Sequence, residues 1–379
     1  MRIFENIHID WLGKRRIFYF ISLSLFLIGA INVAIRGLHF GIDFKGGTEI
    51  VLEFQKPVNV SEMRNYLSNI GLGNVELKTF GSETGVLART ELQQLPHQIF
   101  PKVVATINKA VEEAIPGIAY KIVDTNATSV TYSFANPDTV NLMVAKLFAE
   151  GFQSGKVSEE PTNTEMVVRV GIAEWLKESL KTKMADNSFS VIKEDHVGPK
   201  VGNELKTNAV IAIFLSLVGI LIYLAFRFKF IFAVGAVVAL FHDVLITIGL
   251  YAALYGVIPG LNLEIDLTVV AAFLTLIGYS VNDTVIVFDR VRENLKIHKT
   301  MPLEELINTS VNRTMSRTIL TAGTVLLAVL VLLIFGGEVL RAFSFTLFFG
   351  TITGTYSSIF IASALVLEYA NRFQKKMQF

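Results

Sequence analysis

The sequence predicts a polytopic α-helical membrane protein with six transmembrane helices and an α+β, ferredoxin-like external domain that reads as duplicated. Three observations carry this. The 379 residues are 52% hydrophobic and only 18% charged, with a mean hydropathy of +0.51, whereas soluble domains carry about 25% charge. Six apolar runs approach the ~20 residues that a hydrocarbon core requires. Between the first two runs, short alternating strands and amphipathic helices take turns over 36–207.

Composition also excludes several classes. Lys+Arg 34 against Asp+Glu 33 leaves no bulk field for nucleic acid. The absence of cysteine removes disulfides, thiolate nucleophiles and Cys-ligated metals. Twenty-nine Phe and 27 Gly suit membrane helices.

The first run, Ile17–Ile35, follows Lys14-Arg15-Arg16. It is too long for a signal-peptide core, and Asn32-x-Ala34 is a poor cleavage site, so it reads as a retained signal anchor. In the segment that follows, Thr48–Phe54 alternates as a strand and Val60–Ile70 has helical spacing. Val75–Phe80 and Val86–Arg89 read as strands, then come a helix near 91–114 and a strand near 118–123. The order βαββαβ is that of a ferredoxin-like unit.

The same order returns with Val130–Phe134, Thr139–Glu150, Gly155–Glu159, Met166–Val170, Ala173–Met184 and Phe189–Lys193. A shift of 80 residues gives nine identities in 42 ungapped positions. They include Phe54/Phe134, Pro57/Pro137, Met63/Met143, Leu67/Leu147, Gly71/Gly151 and Arg89/Arg169. The expected division is 36–127 for one unit and 128–196 for the other. Neither holds a nucleophile–base pair, and His39, His97 and His196 lack metal-ligand spacing. Binding of polypeptide at an edge strand or groove is the more natural use.

The remaining runs lie at 208–226, 230–255, 265–289, 318–336 and 342–367. Fifteen basic residues fall in the two tails, the 227–229 turn and the 290–317 segment, against none in the 256–264 loop and Arg341 alone in the 336–341 turn on the other side. The positive-inside rule places both termini in the cytoplasm and 36–207 in the periplasm.

Charges within the spans are costly, about 2.5–3.5 kcal/mol on the insertion scale. Asp283 lies about 9 Å from Asp289 along the helix axis and shares a face with Leu276, Tyr279, Ser280 and Val287. It can load and release a proton; the competing reading is an ion pair with Arg290. Arg317, opening the fifth span, is either a partner for Asp283 or an ordinary anchor at the membrane surface. Asp243 sits about 20 Å deep, as a proton carrier or as a hydrogen-bond anchor between helices. His242 is expected to face elsewhere, because helical neighbours point about 100° apart.

Two rival chemistries fail. The Tyr-Asp and Gly-x-Gly-Asp contexts of intramembrane aspartyl proteases are absent, and no Gly-x-x-x-x-Gly-Lys-Ser/Thr loop occurs for a nucleotide. An enzyme is not expected.

Four motifs in order carry a resemblance. They are Gly41-Ile42-Asp43-Phe44-x-Gly46-Gly47-Thr48, Val197-Gly198-Pro199-x-Val201-Gly202-x-Glu204-Leu205, Gly278-Tyr279-Ser280-Val281-Asn282-Asp283-Thr284 and Ser316-Arg317-Thr318. Together they resemble the SecF branch of the SecD/SecF protein-export family, within the resistance-nodulation-division superfamily. The resemblance implies half of a twelve-span assembly, with SecD as the other half. It implies proton-motive-force-dependent assistance to preproteins emerging from the SecYEG channel across the bacterial inner membrane, with no cofactor or metal. By motif, Asp283 and Arg317 match the family's intramembrane carboxylate and arginine, implicated in proton conduction. Asp243 matches its His-Asp segment. Gly41, Asp43, Gly46, Gly47, Thr48, Gly198, Pro199 and Gly202 match structural motif positions. The second external unit departs from the family pattern. Proton-coupled small-molecule efflux and a passive assembly role are the competing functions.

Overall fold

The computed structural model describes residues 8–69, 75–92, 95–126, 128–150, 152–258 and 261–373. The chain forms two compact units. One comprises the residues up to Phe44 together with Asn203 onward; the other is Lys45–Gly202.

After a 3₁₀ turn at Leu12–Lys14, the elements run α1 (Arg15–Arg36), a single turn α2 (Ile42–Lys45), β1 (Gly47–Phe54), α3 (Val60–Asn69), β2 (Val75–Phe80) and β3 (Ser82–Thr90). There follow α4 (Phe100–Ala114), β4 (Tyr120–Asn126), β5 (Ser129–Phe134), α5 (Pro137–Ala149), β6 (Ser154–Lys156), β7 (Glu165–Arg169), α6 (Ile172–Lys183) and β8 (Phe189–Val197). The helical remainder is α7 (Pro199–Arg227), α8 (Phe230–Leu254), α9 (Leu267–Ile297), α10 (Leu303–Phe335) and α11 (Gly337–Ser357). A π-helical turn, Ser358–Ser363, then leads into α12 (Ala364–Phe373).

Among the described residues, six helices are long and apolar enough to cross a membrane: Leu12–Arg36, Pro199–Arg227, Phe230–Leu254, Leu267–Ile297, Leu303–Phe335 and Gly337–Phe373. Several outrun the apolar segments because polar residues continue the helix beyond the oil. In the helical unit, α8 packs through small residues, with Ala233, Ala236 and Ala239 fully buried. A Cβ on Gly29 of α1 would stand 2.7 Å from the Gly249 Cα of α8. The two backbones touch there, the close approach that small residues give membrane helices.

The α/β unit holds two four-stranded antiparallel sheets, ordered β2-β3-β1-β8 and β4-β5-β7-β6. The pairing departs from the division at 127/128. The strand near 118–123 does not close the first sheet; as β4 it pairs with β5, Tyr120 opposite Phe134. The last strand, β8, instead pairs with β1, Gly47 opposite Val197. The reason is local. Asn126 Oδ1 accepts the backbone N–H of Thr128 at 3.0 Å and of Ser129 at 2.9 Å, which closes a tight hairpin. A strand joined to its neighbour by so short a link pairs with it, and β1 is left for β8.

The matched residues of the 80-residue shift serve the core from their own halves. Phe54, Met63 and Leu67 are buried in their half and Phe134, Met143 and Leu147 in theirs, and all six belong to one continuous core. Arg89 and Arg169 part company: Arg89 is buried and donates from Nε to Glu49 Oε2 at 2.9 Å, while Arg169 is exposed. The Gly71/Gly151 match lies outside the described residues.

Candidate functional site: two buried carboxylates

The first motif places backbone rather than chemistry. Asp43 Oδ2 accepts the N–H of Leu267 at 2.9 Å, while Asp266, the residue before α9, accepts that of Val269 at 2.8 Å. Two carboxylates thus cap the N-terminus of α9, where free N–H groups and the helix dipole favour them. The Gly41 N–H donates to Ile265 O at 2.8 Å.

Gly46 and Gly47 have φ of 74° and 121°, a region costly for a side chain. A Cβ on Gly47 would meet Thr90 O at 2.3 Å, and one on Gly46 would meet Pro199 Cα at 3.0 Å. The first and second motifs therefore meet. Pro199 opens α7, a position that needs no N–H donor, and Gly202 N–H donates to Gly198 O at 2.9 Å. Thr48 Oγ1 lies 3.0 Å from His196 Nδ1.

Asp243 is 1% exposed and is held from three directions. Its Oδ2 accepts the hydroxyls of Ser280 on α9 at 2.8 Å and Ser357 at the end of α11 at 2.9 Å. Its Oδ1 is 3.0 Å from His242 Nδ1. The expectation that His242 faces elsewhere is therefore corrected: the ring folds back across its own turn to reach the neighbouring carboxylate. Its other nitrogen, Nε2, lies 3.2 Å from Tyr356 Oη. The contact leaves no room above it, since a Cβ on Gly354 would stand 2.9 Å from Ser280 Oγ and 3.4 Å from Asp243 Oδ2.

Asp283 is 2% exposed, and its Oδ2 has no hydrogen-bond partner among the described residues. Arg317 lies within Coulombic reach of it but is itself exposed on α10, and no ion pair joins the two among the described residues. The competing pair with Arg290 does not form, because Arg290 bonds Glu293 at 2.6 Å. Asp289 in turn pairs with Arg227 at 3.1 Å. Ser280, on the same helix as Asp283, ties α9 to Asp243, so the two carboxylates occupy adjoining helices.

The sequence places Ser280 on the polar face but gives no role to Ser357 or Tyr356. The available signal was the run Thr355-Tyr356-Ser357-Ser358, four hydroxyl residues inside an apolar span.

A helical unit that buries two carboxylates on adjoining apolar helices defines an integral membrane protein whose spans are organised around acidic groups. Residues 176–372 match the family described as protein export membrane protein SecD/SecF, C-terminal, and 32–58 match the SecD/SecF GG motif. The chain is 37% identical to the protein translocase subunit SecF of Rhodothermus marinus over 98% of its own length and 96% of that relative's. It is 36% identical to that of Koribacter versatilis, covering 97% and 93%. It also resembles the crystal structure of SecDF, a translocon-associated membrane protein from Thermus thermophilus, with a TM-score of 0.65 at 30% identity. That match covers 97% of this chain and 39% of the SecDF chain, so the sequence spans well under half of that protein. The chain belongs to the SecD/SecF family of protein-export membrane proteins, and within it to the SecF translocase subunits.

Proposed function

We propose that this chain works with SecD to draw on the proton motive force and assist preproteins leaving the SecYEG channel. The observation that carries the reading is Asp283, a carboxylate 2% exposed with one oxygen that has no partner among the described residues, and with a cation nearby but, among those residues, no ion pair to it. A carboxyl group in apolar surroundings is neutral when protonated and strongly attracted to Arg317 when ionised. Loading and unloading it changes the force between α9 and α10. One charge moved across 100 mV supplies about 2.3 kcal/mol, enough to bias a two-state element roughly fiftyfold.

Both termini lie in the cytoplasm in this reading, with 36–207 in the periplasm, as the distribution of basic residues supports. The two sheets are copies of one ferredoxin-like unit that have exchanged their closing helix–strand pairs, α4–β4 and α6–β8. Two features support this: the strand orders correspond, and each closing strand carries a register shift at a β-branched residue, Val123 or Ile192.

The test is Asp283→Asn, assayed with SecD in inverted membrane vesicles. Gradient-stimulated export is expected to vanish while the subunit remains folded and SecD-bound. Export at the normal gradient-stimulated rate would overturn the reading.

A further inference from the structure

Four side chains form an unbroken line from the core of the helical unit to α1. Asp243 Oδ1 is 3.0 Å from His242 Nδ1, His242 Nε2 is 3.2 Å from Tyr356 Oη, and Tyr356 Oη is 3.3 Å from Ser22 Oγ. Both ends are buried, Asp243 at 1% and Ser22 at 6% exposed. Ser22 stands about 10 Å along α1 from Arg15, at 1.5 Å per residue.

The composition of the line sets it apart from a packing anchor. A carboxylate that only tied helices together would be served by the two serine hydroxyls on Oδ2. Among the described residues, those leave Oδ1 to His242 alone. Every link beyond Oδ1 is a group that both donates and accepts: a neutral imidazole has one N–H and one lone-pair nitrogen, and the phenol and serine hydroxyls do both. Tyr356 is also braced for a fixed direction. Its ring lies edge-on to the His242 ring at 5.5 Å and beside Phe18 of α1 at 6.1 Å.

We propose that His242, Tyr356 and Ser22 are the path by which Asp243 exchanges its proton with water at the N-terminal half of α1. This rests on the proton-coupled reading above and adds residues to it. With Asp243 protonated on Oδ1, its O–H donates to Nδ1, Nε2–H donates to Tyr356, and the phenol donates to Ser22. Unloading breaks the Oδ1–H bond and forms Nδ1–H. The Nε2 proton passes to the phenolic oxygen, the former phenolic proton passes to Ser22 Oγ, and the serine's own proton leaves to a water molecule. One proton has moved and every electron pair stays on its heavy atom. The carboxylate is left accepting from Nδ1–H, and the same bonds in reverse order reload it.

The experiment measures proton flux through the chain reconstituted with SecD in liposomes carrying a pH-sensitive dye. Flux is normalised to assembled complex and compared in H₂O and D₂O. Tyr356→Phe keeps the ring and its packing but cuts the line; flux is expected to fall about tenfold or more, with loss of the solvent isotope effect. Ser22→Ala removes only the last hydroxyl and is expected to give a smaller loss, about threefold. It stands in should Tyr356→Phe fail to assemble. Asp283→Asn is run in parallel. If Asp283→Asn stops flux while Tyr356→Phe and Ser22→Ala retain wild-type flux and isotope effect, the path is overturned and the broader reading stands. If Asp283→Asn leaves flux intact, the broader reading fails and the path falls with it.

Discussion

Asp243 and Asp283 are carboxylates of similar burial on adjoining helices, yet their surroundings differ in kind. Asp243 accepts from two serines and meets a histidine, and its contacts draw α8, α9 and the end of α11 to one point. Asp283 keeps an oxygen without any partner among the described residues. Burial alone therefore does not mark the working group. A carboxylate with hydrogen-bond partners on both oxygens can hold helices together and pass a proton along those partners, whereas one with an unsatisfied oxygen answers only to the charges around it.

That contrast can be broken by mutation, beginning with the largest effect. Asp243→Ala strips the acceptor from Ser280 and Ser357 and is expected to lower stability by about 1–3 kcal/mol per stranded group, read as a drop in unfolding midpoint in detergent. Asp283→Ala losing as much would erase the distinction. Gly354→Ala drives a methyl against Ser280 Oγ and Asp243 Oδ2 and is expected to cost about 1–3 kcal/mol, checked by the same midpoint. Among the described residues, no glycine makes a contact of this kind against Asp283.

A buried carboxylate away from the six long apolar helices sharpens the comparison. Glu174 on α6 is 6% exposed and lies 3.4 Å from Lys177, but burial still pushes its carboxyl above the usual range, with Lys177 only partly offsetting this. The folded state thus holds the proton more tightly than the unfolded one. Its contribution to stability is present below the ordinary glutamate range, near 4.5, and is lost as pH rises through the folded value. Protection of α6 amides in the full chain, corrected for the intrinsic pH dependence of exchange, is expected to fall over that rise and to stay level in Glu174→Gln. The smallest stability effect belongs to Asp283→Asn, within about 0.5 kcal/mol of wild type despite the loss of function expected of it.

Much of this was legible in the sequence, for physical reasons. A run of about 20 apolar residues in a chain of this composition has few places to go except the membrane, so the spans emerged with only their polar ends undefined. Asp283 was visible because a charge among Leu, Ile and Val is conspicuous. The partners of Asp243 were not, because Ser280 and Ser357 lie 37 and 114 residues away and only helix packing brings them near. The strand pairing failed for a related reason. The order helix–strand is the same for α4–β4 and α6–β8, and the hairpin at Asn126, not the pattern, decides which sheet each one closes.

The π-helical turn at Ser358–Ser363 follows directly after Ser357, the residue that grips Asp243, and contains Phe360, whose ring stacks on Phe18 of α1 at 3.5 Å. Such a turn contains one surplus residue compared with an α-helical turn. The last helix therefore carries a unit of slack at the height of the carboxylate. Shifting that slack one position along would swivel the intervening side chain by about 100° while leaving both ends of the rod where they are. The grip on Asp243 and the stack against α1 thus sit on either side of a joint that can turn one relative to the other with no change in the length of the span.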